Sequence, residues 1–177
     1  NRTKDEIRDI AMVRWDEGKW TKPQIVIADN WYIPGCPVNG PAIDALGSDL
    51  AMAWFTGAND SPKVQIVFSE DNGKSFGFPF RIDNGNAIGR VDLVMLDDSS
   101  AAVLWMEPRG VDTLIQLVKV TSNGILNTPI KITKTRSERA SGFPQLEELG
   151  DTIYVAWTSL EEEKPKIRVV SVLKENL

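Results

Sequence analysis

None of the 177 residues is histidine and only one, Cys36, is cysteine, so the chemistry open to these side chains is narrow. Ser-His-Asp and Cys-His catalysis both need an imidazole and are excluded within the chain. A single thiol excludes an internal disulfide, and without histidine a structural zinc site has no ligand set. No metal and no cofactor are expected. What remains are carboxylates, arginines, lysines and tyrosines. A guanidinium grips a carboxylate through two parallel hydrogen bonds, and carboxyl groups can move protons or steady developing positive charge. The candidates are Arg8, Arg90 and Arg139, with Glu107 and Asp92 as carboxylate partners and Asn39 beside them. Whether they meet depends on the elements that carry them.

Those elements are strands. Helical periodicity is absent, and short alternating apolar runs are separated by Gly, Asn, Asp, Ser and Pro. One strand recurs three times, as Asp49–Trp54, Ala101–Trp105 and Thr152–Trp157, with tryptophans 51 and 52 residues apart. A hairpin strand follows each copy (Val64–Phe68, Ile115–Lys119, Ile167–Ser171), and Ile10–Trp15 reads as an earlier copy. Gly18, Gly73 and Gly124 close the corresponding turns. Short entry strands precede the tryptophan strands at Pro41–Leu46, Val91–Leu96 and Pro144–Leu149. Units of four strands repeating at this period predict an all-β propeller, with blades at about 6–34 (partial), 41–84, 90–135 and 143–177 (partial) of a single unit spanning 1–177. Tryptophan-ended strands of a β-sandwich are the alternative. Three and a half blades leave apolar faces open, so the remaining blades of a parent chain are expected as partners.

The turn Ser69-Glu70-Asp71-Asn72-Gly73-Lys74-Ser75-Phe76 lies between two strands of the first full blade. Asp71 is expected to accept backbone N–H groups of the bend, Gly73 to take positive φ, and Phe76 to fold beneath. The spacing of Ser69, Asp71, Gly73 and Phe76 resembles the Asp-box of sialidase-like propellers, which implies a structural role for these four. Blade geometry places that turn on one face and the blade-to-blade crossings on the other. The crossings carry Asn39, Arg90, Asp92 and Arg139. Glu107 lies in a loop on the same side, and Arg8 enters the first hairpin strand there.

Composition narrows the partners. A net charge of −5 without a basic stretch argues against nucleic acid. No apolar run reaches the roughly 18 residues a membrane helix needs.

Asp29-Asn30-Trp31, Gly35-Cys36-Pro37-Val38-Asn39-Gly40-Pro41, Gly89-Arg90-Val91-Asp92 and Ser141-Gly142-Phe143-Pro144-Gln145 resemble the second half of bacterial sialidase-like Asp-box propellers. That resemblance implies a six-bladed parent, a secreted, periplasmic or lipid-anchored location, and exo-α-sialidase activity on terminal sialic acid or a related acidic sugar. It implies three arginines on the substrate carboxylate, here Arg8, Arg90 and Arg139, with Glu107 and Asp92 as the carboxyl groups of catalysis. The family's Arg-Ile-Pro motif has only Tyr32-Ile33-Pro34 as a counterpart. A non-catalytic propeller binding glycan or protein on its rim is the competing expectation.

Overall fold

The computed structural model describes residues 5–161 and 164–177. Its first strands are β1 (Ile10–Met12), β2 (Trp15–Asp16), β3 (Lys19–Trp20) and β4 (Gln24–Ile27). A first complete unit follows, with β5 (Ala42–Leu46), β6 (Asp49–Thr56), β7 (Lys63–Ser69) and β8 (Phe80–Arg81). The second comprises β9 (Gly89–Asp97), β10 (Ser100–Arg109), β11 (Asp112–Thr121) and β12 (Ile130–Thr135). The third contains β13 (Gln145–Leu149), β14 (Thr152–Ser159) and β15 (Lys166–Leu173). Strands pair in chain order as antiparallel meanders, β5-β6-β7-β8, β9-β10-β11-β12 and β13-β14-β15, while β1 pairs with β4. The three tryptophan strands β6, β10 and β14 therefore belong to three different sheets.

The sheets pack face to face in sequence order. β10 is apolar on both sides, because both are covered. Ala101, Val103 and Trp105 pack on Ala51, Ala53, Val64 and Ile66 of the first unit. Ala102, Leu104 and Met106 pack on Leu146, Ile153 and Val155 of the third. Met52, Trp54 and Val67 cover Ile10, Met12 and Val26 in the same way. Each tryptophan points to the preceding unit. Trp105 is fully buried, and its truncation to Ala is expected to cost about 3–5 kcal/mol.

One expectation fails locally. The strand anticipated over Ile10–Trp15 stops at Met12, and Trp15 joins Trp20 in a separate two-residue hairpin. The cause is a polar clasp: Arg14 N–H donates to Thr21 Oγ1 at 2.9 Å, and Thr21 N–H donates to the Arg14 carbonyl at 2.8 Å. The clasp turns the chain out of the β1–β4 ladder one residue before Trp15.

A repeated backbone bond sorts the loops. Asn72 N–H donates to the Ser48 carbonyl, Ser122 N–H to Ser99 and Lys174 N–H to Asp151. In every unit the turn after the third strand thus rests on the turn between the first and second. The crossings between units emerge at the opposite ends of the strands.

Candidate functional site: the face of the crossings

Three crossings, residues 28–41, 82–88 and 136–144, lie in a row and are tied together by side chains. Arg8 holds the first. Its Nη2 donates to the Gly35 carbonyl at 2.7 Å and pairs with Glu6 at 2.9 Å, and its Nε donates to Gly35 at 3.2 Å. The Nη1 of Arg8 is buried without a hydrogen-bond partner.

Asn39 joins the first crossing to the second. Its Oδ1 accepts the Arg90 N–H at 2.7 Å, and its Nδ2 donates to the Ile88 carbonyl at 3.0 Å. The amide fits because Gly89 beneath it has no side chain. A Cβ there would stand 2.7 Å from both Asn39 Oδ1 and Phe55 Cβ, and the residue sits at φ +80°.

Arg90 joins the second crossing to the third. Its Nη1 donates to Ser141 Oγ at 2.6 Å and the Gly142 carbonyl at 2.9 Å. Its Nη2 donates to the carbonyls of Ser137 at 2.9 Å and Glu138 at 3.1 Å. Four guanidinium N–H bonds are thereby satisfied within the chain. Burial without a carboxylate lowers the Arg90 pKa below the ordinary arginine value. Arg139 lies on the 3₁₀ turn Arg139–Ser141 that Arg90 clasps, and it is exposed, as is Phe143 just beyond. Arg90 stands 5.8 Å from the centre of the Phe143 ring.

The two carboxylates singled out from the sequence lie apart. Glu107 is 2% exposed, and its Oε2 accepts from Trp105 Nε1 at 2.9 Å, Gln116 Nε2 at 2.8 Å and Asn84 N–H at 3.3 Å. A buried indole N–H needs an acceptor, and Glu107 is it. The preceding unit solves the same problem with Asp29, which accepts from Trp54 Nε1 at 2.5 Å and from Gln65 Nε2 at 3.1 Å. Asp29 was missed in the sequence because it lies far from its tryptophan, whereas Glu107 follows its own by two residues. Gln65 and Gln116, each opposite the tryptophan on the adjacent strand, repeat in register and carried the only readable signal.

Asp92 lines a cleft of about 370 Å³ between β5, β9 and β13, the first strands of the three units, with Asp44, Gln145 and Glu147. Its Oδ2 accepts the Leu146 N–H at 2.8 Å and its Oδ1 the Leu93 N–H at 3.0 Å. Asp44 makes the same kind of stitch one unit earlier, its Oδ2 accepting the Met95 N–H at 2.8 Å and its Oδ1 the Ala45 N–H at 2.8 Å. Burial pushes the Asp92 pKa above the ordinary carboxylate value, against the two backbone donors, with Glu147 and Asp44 adding to the rise.

The opposite face carries the Ser69–Phe76 turn. Asp71 Oδ1 accepts Lys74 N–H at 2.8 Å, Ser75 N–H at 2.9 Å and Ser69 Oγ at 2.8 Å, and its Oδ2 accepts Ser75 Oγ at 2.6 Å. Gly73 is at φ +71° with its N–H on Ser69 Oγ, and Phe76 packs against the Met52–Trp54–Val67 cluster. The Ser75 hydroxyl and N–H, then Ser69, hold the Asp71 carboxyl well below the usual range.

Among solved structures, a Hadza microbial sialidase (Hz136) matches over 94% of this chain and 39% of its own, with a TM-score of 0.55 and 16% identity. A glycosyl hydrolase from Bacteroides ovatus matches over 66% of this chain and 42% of its own at 9% identity, and its TM-score of 0.38 is too low to carry an argument. The chain thus shares the fold of part of a sialidase and spans 39% of that protein's length. No family model and no curated protein matches the sequence. Among the described residues no helix is long and apolar enough to cross a membrane, and no group of three metal-binding side chains occurs.

Proposed function

We propose that this chain forms consecutive blades of a six-bladed sialidase-like propeller, and that the whole protein is an exo-α-sialidase-type glycoside hydrolase. Its substrate is terminal sialic acid or a related acidic sugar on a glycoconjugate met outside the cytoplasm. The observation that carries the reading is the row of crossings tied across one face of a sialidase fold, with a guanidinium exposed on it. Arg139 binds the substrate carboxylate. Arg90, Arg8 and Asn39 are positioning residues that hold the loops around it. Asp92 lines the axial cleft, where burial raises its pKa, and is the proton donor to the leaving group. Glu107 fixes Trp105 and leaves the nucleophile to residues elsewhere in the ring. The Ser69–Phe76 turn is an Asp-box with a structural role.

The test is hydrolysis of a fluorogenic sialoside by the whole protein. Arg139→Ala is expected to raise KM at least tenfold with an unfolding temperature near wild type, and Asp92→Asn to lower kcat by about 10²–10⁴-fold. Wild-type KM in the Arg139 variant would remove that residue from the site. A second reading, a ring that binds glycan without cleaving it, is favoured by one observation: Glu107, Asp92 and Arg90 already spend their hydrogen bonds inside the chain. Binding on a glycan array without turnover, lost in Arg139→Ala, would establish it.

A further inference from the structure

The face of the turns holds a cavity of its own. It measures about 510 Å³, inside the roughly 300–1,000 Å³ range of small-molecule sites, and opens between the Ser69–Phe76 turn and Ser122 of the next unit. The rings of Phe68, Phe76 and Phe80 line it, and Phe78 beside them is 88% exposed. The fold does not call for that fourth ring. Ile66 pairs with Phe80 as Leu117 pairs with Ile130, so Phe78 occupies the place of Thr128, each just before a proline. The walls are fixed in advance. Four hydrogen bonds converge on the Asp71 carboxylate, Gly77 N–H donates to the Phe68 carbonyl at 3.0 Å, and Phe80 packs on Gly124, where a Cβ has no room. Glu70, Ser75 and Ser122 bring polar groups to the same cavity. Among the described residues, neither the Glu70 carboxylate nor the Ser122 hydroxyl takes part in a hydrogen bond or ion pair.

We propose that this cavity binds a neutral pyranose, one sugar of a glycan, with Phe78 as the stacking platform. The C–H face of a pyranose is apolar and nearly flat, and it covers an aromatic ring while the hydroxyls stay at the edge. There the Glu70 carboxylate accepts sugar O–H groups, and the Ser122 hydroxyl donates or accepts. Ser75 Oγ, whose proton goes to Asp71, accepts. Charge decides the class of sugar. Among the described residues lining the cavity none is cationic, whereas Glu70 and Asp71 are both carboxylates, so sialic acid and other acidic sugars are repelled. A quaternary ammonium would need rings on several sides, and Phe78 alone of the four is exposed. The site lies at the opposite ends of the strands from Arg139, so a glycan held there leaves the crossings free.

Binding of the whole protein to an array of neutral oligosaccharides of galactose, glucose, mannose and N-acetylhexosamines tests this without reference to sialoside turnover. At least one neutral glycan is expected to be held, and an excess of free sialic acid should not displace it. Phe78→Leu keeps the apolar bulk and removes the ring face, so it should weaken binding roughly tenfold or more, whereas Phe78→Trp should retain it. An array on which no neutral glycan is held would overturn the proposal, and so would wild-type affinity in Phe78→Leu. Loss in Phe78→Trp as well would overturn the stacking role. Displacement by sialic acid would move the binding to the face of the crossings and overturn the site.

Discussion

The two ends of the strands solve the same problem in opposite ways. At the Ser69–Phe76 turn the bonds of the hub, Asp71, all close within the seven residues Ser69–Ser75. On the face of the crossings local bonds such as Gly85 N–H to Asp83 are joined by long-range ones that link one crossing to the next. Asn39 reaches Ile88 and Arg90, and Arg90 reaches four partners between Ser137 and Gly142. A self-contained turn can be copied from unit to unit without regard to its neighbours. A crossing pinned by distant side chains ties one unit to the next and holds its exposed residues in fixed relation. Loops held this way suit binding, because less conformational entropy remains to be lost when a ligand arrives.

Two glycines give the widest contrast on the crossing face. Gly89 has positive φ and no room for a Cβ, while Gly85 also has positive φ, +117°, with nothing within 4 Å of a built Cβ. Gly89→Val is expected to cost about 3 kcal/mol or more, from strain and from displacing Asn39. Gly85→Ala should cost about 1 kcal/mol, from backbone strain alone. Urea unfolding of both variants checks this, and equal losses would mean that the Asn39–Gly89 contact contributes nothing.

Arg90→Met comes next in size. It keeps the length of the stem and removes the four N–H donors, leaving the carbonyls of Ser137, Glu138 and Gly142 to find water. A loss of about 2–4 kcal/mol is expected, with faster hydrogen exchange confined to residues 136–144. Unchanged exchange there would show that the clasp does not hold the third crossing.

The contrast also explains what could be read from the sequence. The tryptophan strands were legible because the face packed on the preceding unit demands the same alternation in each, and the tryptophans keep nearly constant spacing. The Asp71 turn was legible because all its partners lie within one short stretch. The acceptors of the indole N–H groups were not, since Asp29 precedes Trp54 by 25 residues whereas Glu107 follows Trp105 by two. Two positions serving one purpose leave no repeat to detect. How Arg8 and Arg90 engage the crossings was not foreseeable, while Arg139 stays exposed. That engagement depends on Gly35, Ser137 and Glu138, carbonyl partners that no side-chain pattern announces.

The subtlest expected difference is one of sign in acid. Hydrogen bonds from Ser75 and Ser69 hold Asp71 below its ordinary pKa, and at Asp97 the Ser100 and Ser99 donors outweigh burial to the same end. These turn-face carboxylates are more acidic folded than unfolded. Their contribution to stability is complete above the unfolded value of about 4 and is lost as the pH falls through the lower folded value. Asp29 and Asp92, half-buried, are raised by desolvation. There the folded state holds its proton longer, so stability declines as the pH rises from about 4 through the raised folded value. Thermal unfolding followed from pH 2 to 7 separates the two. Asp71→Ala should flatten the curve below about pH 4, and Asp92→Asn should flatten it only above that point. If the Asp71 variant instead ran parallel to wild type at the acid end, the turn would not be the origin of acid sensitivity, and the self-contained network around Asp71 would have to be replaced by one that reaches its neighbours.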